Sequence, residues 1–503
     1  MLKLNPEAID LGTLRRLWLG EAASLDDAAM QRIAVSAAAV ERIVTGGDTV
    51  YGVNTGFGLL ANTRIPDDRL AELQTNLILS HSAGLGESLP RHVTRLMIVL
   101  KLLGLGRGYS GVRSIVIEAL QALLDRDAMP IIPAQGSVGA SGDLAPLAHL
   151  SAALMGYGEI DVAGEVAPAA EALTGIGIVP LQLGPKEGLA LINGTQMSAA
   201  VALDAMFTGE RVFGAAIAAG ALSVDALKGS VRPFDARISE LRGQPGQIRV
   251  ATALRDLLDG SEIVASHATG CAKVQDPYSF RCQPQVMGAA LDLLENAART
   301  LTTEAAAVTD NPIVFPDEDT AISGGNFHAQ PVAFAADTIA MGLCEIGSIS
   351  ERRTAVLIDP KMSGLPPFLT EESGVNSGLM IPQVTAAALV SENRSLAYPA
   401  SVDSIPTSAG QEDHVSMAPI AARKAATIAR NAAGVIAVEL IAAAQGVDFH
   451  APLKTSPKLQ QVHAAVREIT PHFTHDRYWA DDMAAIQSAI IGGELAPELP
   501  LLG

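Results

Sequence analysis

AARKAATIARNAAGVIAVELIAAAQ, residues 421–445, is the stretch that decides the fold. Alanine is the best helix former and no proline interrupts the run, while Gly446 follows as a candidate C-terminal cap. Counted from Ala418, a helix ending at Gln445 would be about 40 Å long at a rise of about 1.5 Å per residue. A second run, VMGAALDLLENAARTLTTEAAAVT from Val286 to Thr309, repeats apolar residues at three- and four-residue spacing. Pro284 precedes it, and Asp310-Asn311-Pro312 stops it. Segments 334–358 and 196–227 read the same way. Small Ala and Gly on several faces let such helices pack closely all round, as inner members of a bundle. Aromatics make up 4% of the chain, so the interhelical contacts fall to Ala, Leu, Ile and Val. The expected fold class is mainly α.

The 503 residues are 49% hydrophobic and 18% charged, ample for a large core and incompatible with disorder or collagen-like structure. Lys plus Arg number 35 against 54 Asp plus Glu, a net charge of −19. A surface that acidic argues against nucleic acid or an anionic membrane as partner. Cys271, Cys282 and Cys344 are scattered, with no CxxC pair, which fits a reducing compartment and excludes a zinc-cysteine site. Charges at Glu7 and Asp10 precede any apolar run that would make a signal sequence, and uncharged apolar stretches such as Val212 to Val224 are short for a membrane span. The expectation is a soluble, cytoplasmic protein.

The first two hundred residues differ from the rest. Turn clusters recur at Gly46-Gly47-Asp48, Asn54-Thr55-Gly56 and Gly136 to Gly142, and 159–183 has room for a short hairpin. There is no repeat of solenoid period and no hydrophilic linker. The change in composition places a head domain at 1–195 and an elongated helical bundle with its C-terminal segment at 196–503.

Reactive side chains gather where glycine lets the backbone bend or approach a ligand. The clusters are Tyr51-Gly-Val-Asn-Thr-Gly-Phe-Gly58, Ser80-His81, Gly136-Ser-Val-Gly-Ala-Ser-Gly-Asp143, Asn193-Gly-Thr-Gln196, Gln275-Asp-Pro-Tyr-Ser-Phe-Arg281, Gly324-Gly-Asn-Phe327 and Gln411-Glu-Asp-His414. The third runs into Leu144-Ala-Pro-Leu, with Asp143 as candidate N-cap of a helix. It is no Walker loop, since no Gly-Lys-Ser/Thr follows. A plain loop-to-helix turn would explain it, but Ala140-Ser141-Gly142 also permits chemistry. The Gly142 nitrogen can attack the Ala140 carbonyl to close a five-membered ring, and Ser141 can then lose its hydroxyl as water. The product is an imidazolone carrying an electrophilic methylidene.

GSVGASGDLAPLAHL resembles the signature of the ammonia-lyases that build a methylidene-imidazolone from their own chain. YGVNTGFG, NGTQ, KVQDPYSFRCQPQVMG, ISGGNFHA, SGVNSGLMI and SVDSIPTSAGQEDHVSMAP are similar to the histidine branch of that family, in the family's order, from about residue 48 to 450. The resemblance implies deamination of L-histidine to trans-urocanate and ammonia, the first step of histidine degradation. It implies no cofactor beyond the 4-methylidene-imidazol-5-one formed autocatalytically from Ala140-Ser141-Gly142. It also implies a globular head with a long bundle in a fumarase/aspartase-like superhelical architecture, and a homotetramer whose active sites are shared between chains.

The resemblance assigns roles residue by residue. Tyr51 would be the base, Asn193 would hydrogen-bond the ring oxygen, and Tyr278 with Gln275 would complete the polar shell. Arg281 would clamp the substrate carboxylate, Phe327 would pack on the prosthetic ring, and His81 with Glu412 would set specificity. Without the resemblance, Tyr51 and Tyr278 would read as buried core tyrosines, His81 as a helix-end histidine and Arg281 as a surface arginine. Glu412-Asp413-His414 lacks a second ligand group at metal spacing, so no metal is expected. A phenylalanine or tyrosine lyase, or an aminomutase, is the alternative within the family; those branches usually carry other residues at Ser80-His81 and lack Glu at 412. A helical binding scaffold, or a lyase without activity, is opposed by Ser141, Tyr51 and Arg281 occurring together.

Overall fold

The computed structural model describes residues 1–46, 55, 65–66, 69–268 and 274–495. It is mostly helical, as the alanine-rich runs predict. The four long helices are Gln196–Leu227, Gln283–Ala305, Gln330–Ile358 and Ala418–Asp448. The last continues through Gly446 instead of ending there. A Cβ at Gly446 would lie 2.8 Å from the Cβ of Ala226, so this glycine serves close helix packing and not a cap. Helix Gln283–Ala305 stops short of Thr309, because Thr309 and Asp310 are buried in polar contacts of their own: Thr309 Oγ1 accepts from Gln196 Nε2 at 2.9 Å, and Asp310 pairs with Lys186 at 2.8 Å. The anticipated hairpin is Glu159–Val162 against Glu165–Pro168, extended by Ala128–Pro130 into a small antiparallel sheet.

The described chain divides into two compact units. The first comprises Met1–Asp204, Ala298–Ala336 and Pro399–Arg423, the second the remainder. A single cut at residue 195 does not describe this grouping, since two later segments belong to the first unit. Those segments carry the loops at 323–328 and 407–418, the two late clusters that hold Phe327 and Glu412. In the first unit, Leu70–His81, Leu144–Leu154 and Glu187–Ile192 pack against one another, and Arg91–Gly106 is buried over most of its length.

Gln330–Ile358 and Ala418–Asp448 are long and apolar enough to cross a membrane by length and composition, although 67% and 72% of their most apolar windows are buried within the protein. The uncharged-run criterion misses them because each contains isolated charged residues. One such charge anchors the second unit. Glu439 accepts from Arg353 Nε and Nη2 at 2.5 and 2.7 Å, and from the hydroxyls of Ser223 and Ser350 at 2.7 and 2.6 Å. Arg353 and Glu439 are both 0% exposed, and the four residues sit on three long helices. A buried pair is costly to assemble and costlier to break. Glu439→Ala should therefore destabilise the protein by about 3–5 kcal/mol, while Arg353→Met with Glu439→Leu should lose much less. Thermal midpoints of the two variants check this; equal losses would contradict it.

Candidate active site

Two glycine turns of the first unit lie side by side. Gly142 and Gly194 form an isolated parallel bridge, and the Asp143 amide donates to the Gly194 carbonyl at 2.7 Å. The contact needs glycine at 142: its φ is +78°, and a Cβ there would sit 2.3 Å from Gly194 O. Each turn leads into a helix, Leu144–Leu154 after the first and Gln196–Leu227 after the second. Ala140-Ser141-Gly142 therefore sits beside two helix N-termini, whose N–H groups favour negative charge.

Asp143 does not cap its own helix with its side chain, as the sequence suggests. Its Oδ2 accepts from the backbone N–H and hydroxyl of Ser198 at 2.8 and 2.9 Å, in the first turn of the neighbouring helix. The Gly142–Gly194 bridge brings that second N-terminus closer to the carboxylate than its own. Burial pushes the Asp143 carboxyl up to about 6, against the hydrogen bonds from Ser198 and Ser137.

A cavity of about 960 Å³ opens over this pair of turns. His81, Ala140, Ser141, Asn193, Phe327 and Glu412 all line it. The Asn193 side-chain amide donates to the Ser141 carbonyl at 2.8 Å. The Ser141 hydroxyl donates to Glu412 Oε1 at 2.5 Å, and Thr407 Oγ1 donates to Oε2 at the same distance. Glu412 is held by a tight turn in which Thr407 and Glu412 pair through their backbones, with Ser408 and Ala409 at positive φ. The loop that follows is tied to the first glycine turn: the Met417 amide donates to Val138 O at 2.9 Å, and Ser416 Oγ donates to Gly139 O at 2.9 Å.

His81 ends the helix Leu70–His81, and its Nδ1 lies 2.8 Å from Leu77 O. A carbonyl can only accept, so Nδ1 carries the hydrogen and Nε2 of the neutral ring is an acceptor. His149 Nε2 accepts the Gly84 amide at 3.0 Å, which ties the helix after the first turn to the chain just beyond His81; burial lowers its pKa.

Tyr51 and most of its motif lie outside the described residues. Gln275, Tyr278 and Arg281 belong to the second unit and are not among the residues lining this cavity. Tyr278 is 72% exposed, and the Arg281 guanidinium carbon stands 4.6 Å from its ring centre. Arg281 Nε is buried without a hydrogen-bond partner among the described residues, a donor available to an anion.

Sequence reading missed two contributors. In the sequence Asn311 stands only as part of a helix stop, yet it lines the cavity, accepts the Gly324 amide at 2.7 Å and donates to Ser323 Oγ at 3.1 Å, fixing the loop that carries Phe327. Lys101, in the apolar run RLMIVLKLLGLG, is buried beneath Asn193. The signal for both is polarity in the wrong place: an asparagine before proline, and a lone lysine inside the otherwise apolar run from Leu96 to Gly106.

The family model for aromatic amino acid lyases matches residues 9–468. The chain is 56% identical to the histidine ammonia-lyase of Burkholderia pseudomallei (strain 668) over 502 residues, covering 100% of this chain and 99% of that protein. The crystal structure of histidine ammonia-lyase from Trypanosoma cruzi superposes with a TM-score of 0.91 at 39% identity, covering 99% of this chain and 96% of the other. Tyrosine aminomutase from Streptomyces globisporus superposes with a TM-score of 0.93 at 33% identity, covering 99% of both chains. Backbone shape therefore does not separate these activities.

Gly142→Ala tests the backbone contact. A methyl group at positive φ against Gly194 should cost about 1–3 kcal/mol and open the bridge. Hydrogen exchange of the Asp143 amide should speed up accordingly; unchanged protection would contradict this geometry.

Proposed function

The chain belongs to the aromatic amino acid lyase family, and we propose that it catalyses the non-oxidative deamination of L-histidine to trans-urocanate and ammonia. A base takes the Cβ proton, the C–H pair becomes the carbon–carbon double bond, and the Cα–N pair leaves with the amine, so no oxidant or reductant is needed. The observation that carries this reading is that His81 and Glu412 line the same cavity as Ser141 and Asn193.

We assign to Ala140, Ser141 and Gly142 a self-formed 4-methylidene-imidazol-5-one. The residues fit it: Gly142 is bent at φ +78°, Ala140 two residues before it is small and buried, and the oxygen that would become the ring carbonyl, Ser141 O, already accepts from Asn193. Closure expels the Ala140 oxygen as one water and the Ser141 hydroxyl as another. When present, the group supplies an electrophilic carbon that makes the substrate's amine a better leaving group. Asn193 stabilises negative charge on the Ser141 oxygen as an oxyanion-hole donor does. Tyr51 would take the β-proton, which requires surroundings that favour its phenolate. Phe327 packs over the centre, with Gln275 and Tyr278 adding polar contacts and Arg281 pairing the carboxylate.

Glu412 Oε1 is occupied by the Ser141 hydroxyl, and loss of that hydroxyl frees it for the substrate. Glu412 and His81 Nε2 are then two acceptors, and an imidazole ring offers one N–H donor when neutral and two when protonated. A phenyl ring would leave both acceptors unpaired, at about 1–3 kcal/mol each. The aminomutase likeness extends over the same fold, so the choice of substrate rests on this pair and on the 56% identity to a histidine ammonia-lyase.

We further propose a cytoplasmic homotetramer in which neighbouring chains complete each site with Gln275, Tyr278 and Arg281. Large apolar side chains of the second unit that stand exposed, among them Leu241, Val274, Val375 and Ile381, support burial against other copies.

A substrate panel tests the reading. L-histidine should give equimolar urocanate and ammonia, while phenylalanine and tyrosine should fall below it in kcat/KM by as much as about 10⁴–10⁵-fold. Glu412→Ala and His81→Leu should shrink that ratio. Comparable kcat/KM for histidine and phenylalanine would favour the aromatic alternative.

A further inference from the structure

Lys101 lies midway along the helix Arg91–Gly106 and is 1% exposed. An ammonium so deeply buried is retained at a cost, since methionine or leucine would fill the space without desolvating a charge. No carboxylate forms an ion pair with it among the described residues. Its hydrogen bonds go to the backbone instead, to Ala190 O at 3.1 Å and Asn193 O at 2.7 Å. Both carbonyls are at the end of the helix Glu187–Ile192, where intrahelical partners run out. Lys186, Asp310 and Asp143 are buried in the same unit, with Lys186 and Asp310 paired at 2.8 Å. Burial pulls the Lys101 ammonium down to about 7, against the attraction of Asp310 and Asp143.

Asn193 is thus held from both sides. Its carbonyl accepts from Lys101, and its side-chain amide donates to Ser141 O at 2.8 Å. The next residue, Gly194, accepts the Asp143 amide through its own carbonyl. A change in the Asn193 peptide would therefore move the donor on the Ser141 oxygen and the second glycine turn together.

We propose that Lys101 is a positioning residue for the reaction, anchoring the Asn193 peptide so that its amide stays on the Ser141 carbonyl oxygen. The proposal rests on the reading that residues 140–142 form the imidazolone. Lys101 touches neither the substrate nor the ring. It acts through Asn193, so its removal should weaken stabilisation of charge on that oxygen more than it weakens substrate binding.

The test compares Lys101→Met and Lys101→Gln with the unaltered full-length enzyme, by intact mass, near-ultraviolet absorbance and the kcat and KM for L-histidine. Loss of a whole oxyanion donor costs about 10²–10³-fold in kcat. A displaced donor should cost Lys101→Met about ten- to a hundredfold in kcat, with KM changed less than about threefold. Its near-ultraviolet band should also shift or weaken. Lys101→Gln, which keeps a donor without the charge, should fall between, and it carries the comparison if the methionine variant does not fold. Variants that retain the wild-type kcat and absorbance would overturn the proposal alone. A loss confined to KM, with the band unchanged, would also overturn it. An unaltered enzyme that is active at its full encoded mass would overturn the prosthetic reading and this proposal with it.

Discussion

The site depends on one backbone contact with no room for a side chain. Gly142 and Gly194 bridge so closely that two loops, distant in sequence, present their helix N-termini to the same few atoms. From that contact follow the crossed capping of Ser198 by Asp143 and the reach of the Asn193 amide to Ser141 O. The loop from Thr407 to Ala418 is held against the first turn through Ser416 and Met417, and it brings Glu412 to the Ser141 hydroxyl. The cavity is built from turns that helices hold in place, as suits a rigid constellation whose parts come from separate stretches of chain.

Much of this was legible in the residues. Long alanine-rich runs without proline gave the helices, and the glycines around Ala140-Ser141 marked a tight turn at the mouth of a helix. The rest depends on what three-dimensional packing does to those residues. Gly446 looks like a cap by position, yet it lies where Ala226 leaves no space for a Cβ. Asp143 looks like the cap of its own helix, but the neighbouring turn offers it better donors. A contiguous cut at 195 follows composition, whereas the first unit recruits 298–336 and 399–423 through contacts that no local pattern announces. Lys101 and Asn311 carried no motif, and their roles follow from what surrounds them.

Charge in the first unit is arranged to tolerate burial. Lys186 pairs with Asp310, Ser110 donates to the same carboxylate, and Glu304 takes the Thr195 hydroxyl. Burial raises the pKa of Glu304 as it raises that of Asp143. Glu304 holds the Thr195 side chain of the second glycine turn, and Lys101 and the Asp143 amide hydrogen-bond its backbone, so polarity that would be expensive elsewhere fixes the turn here. The same fold serves a histidine ammonia-lyase and a tyrosine aminomutase with nearly equal superposition, so the backbone alone does not decide the substrate.

The central claim is that the chain converts its own tripeptide into the reactive centre, and peptide-level mass spectrometry of active enzyme tests it most directly. Fragmentation of the peptide spanning Gly136 to Leu150 should place a deficit of two water molecules within Ala140, Ser141 and Gly142. An unmodified Ala140-Ser141-Gly142 in enzyme that releases ammonia from L-histidine would contradict the account.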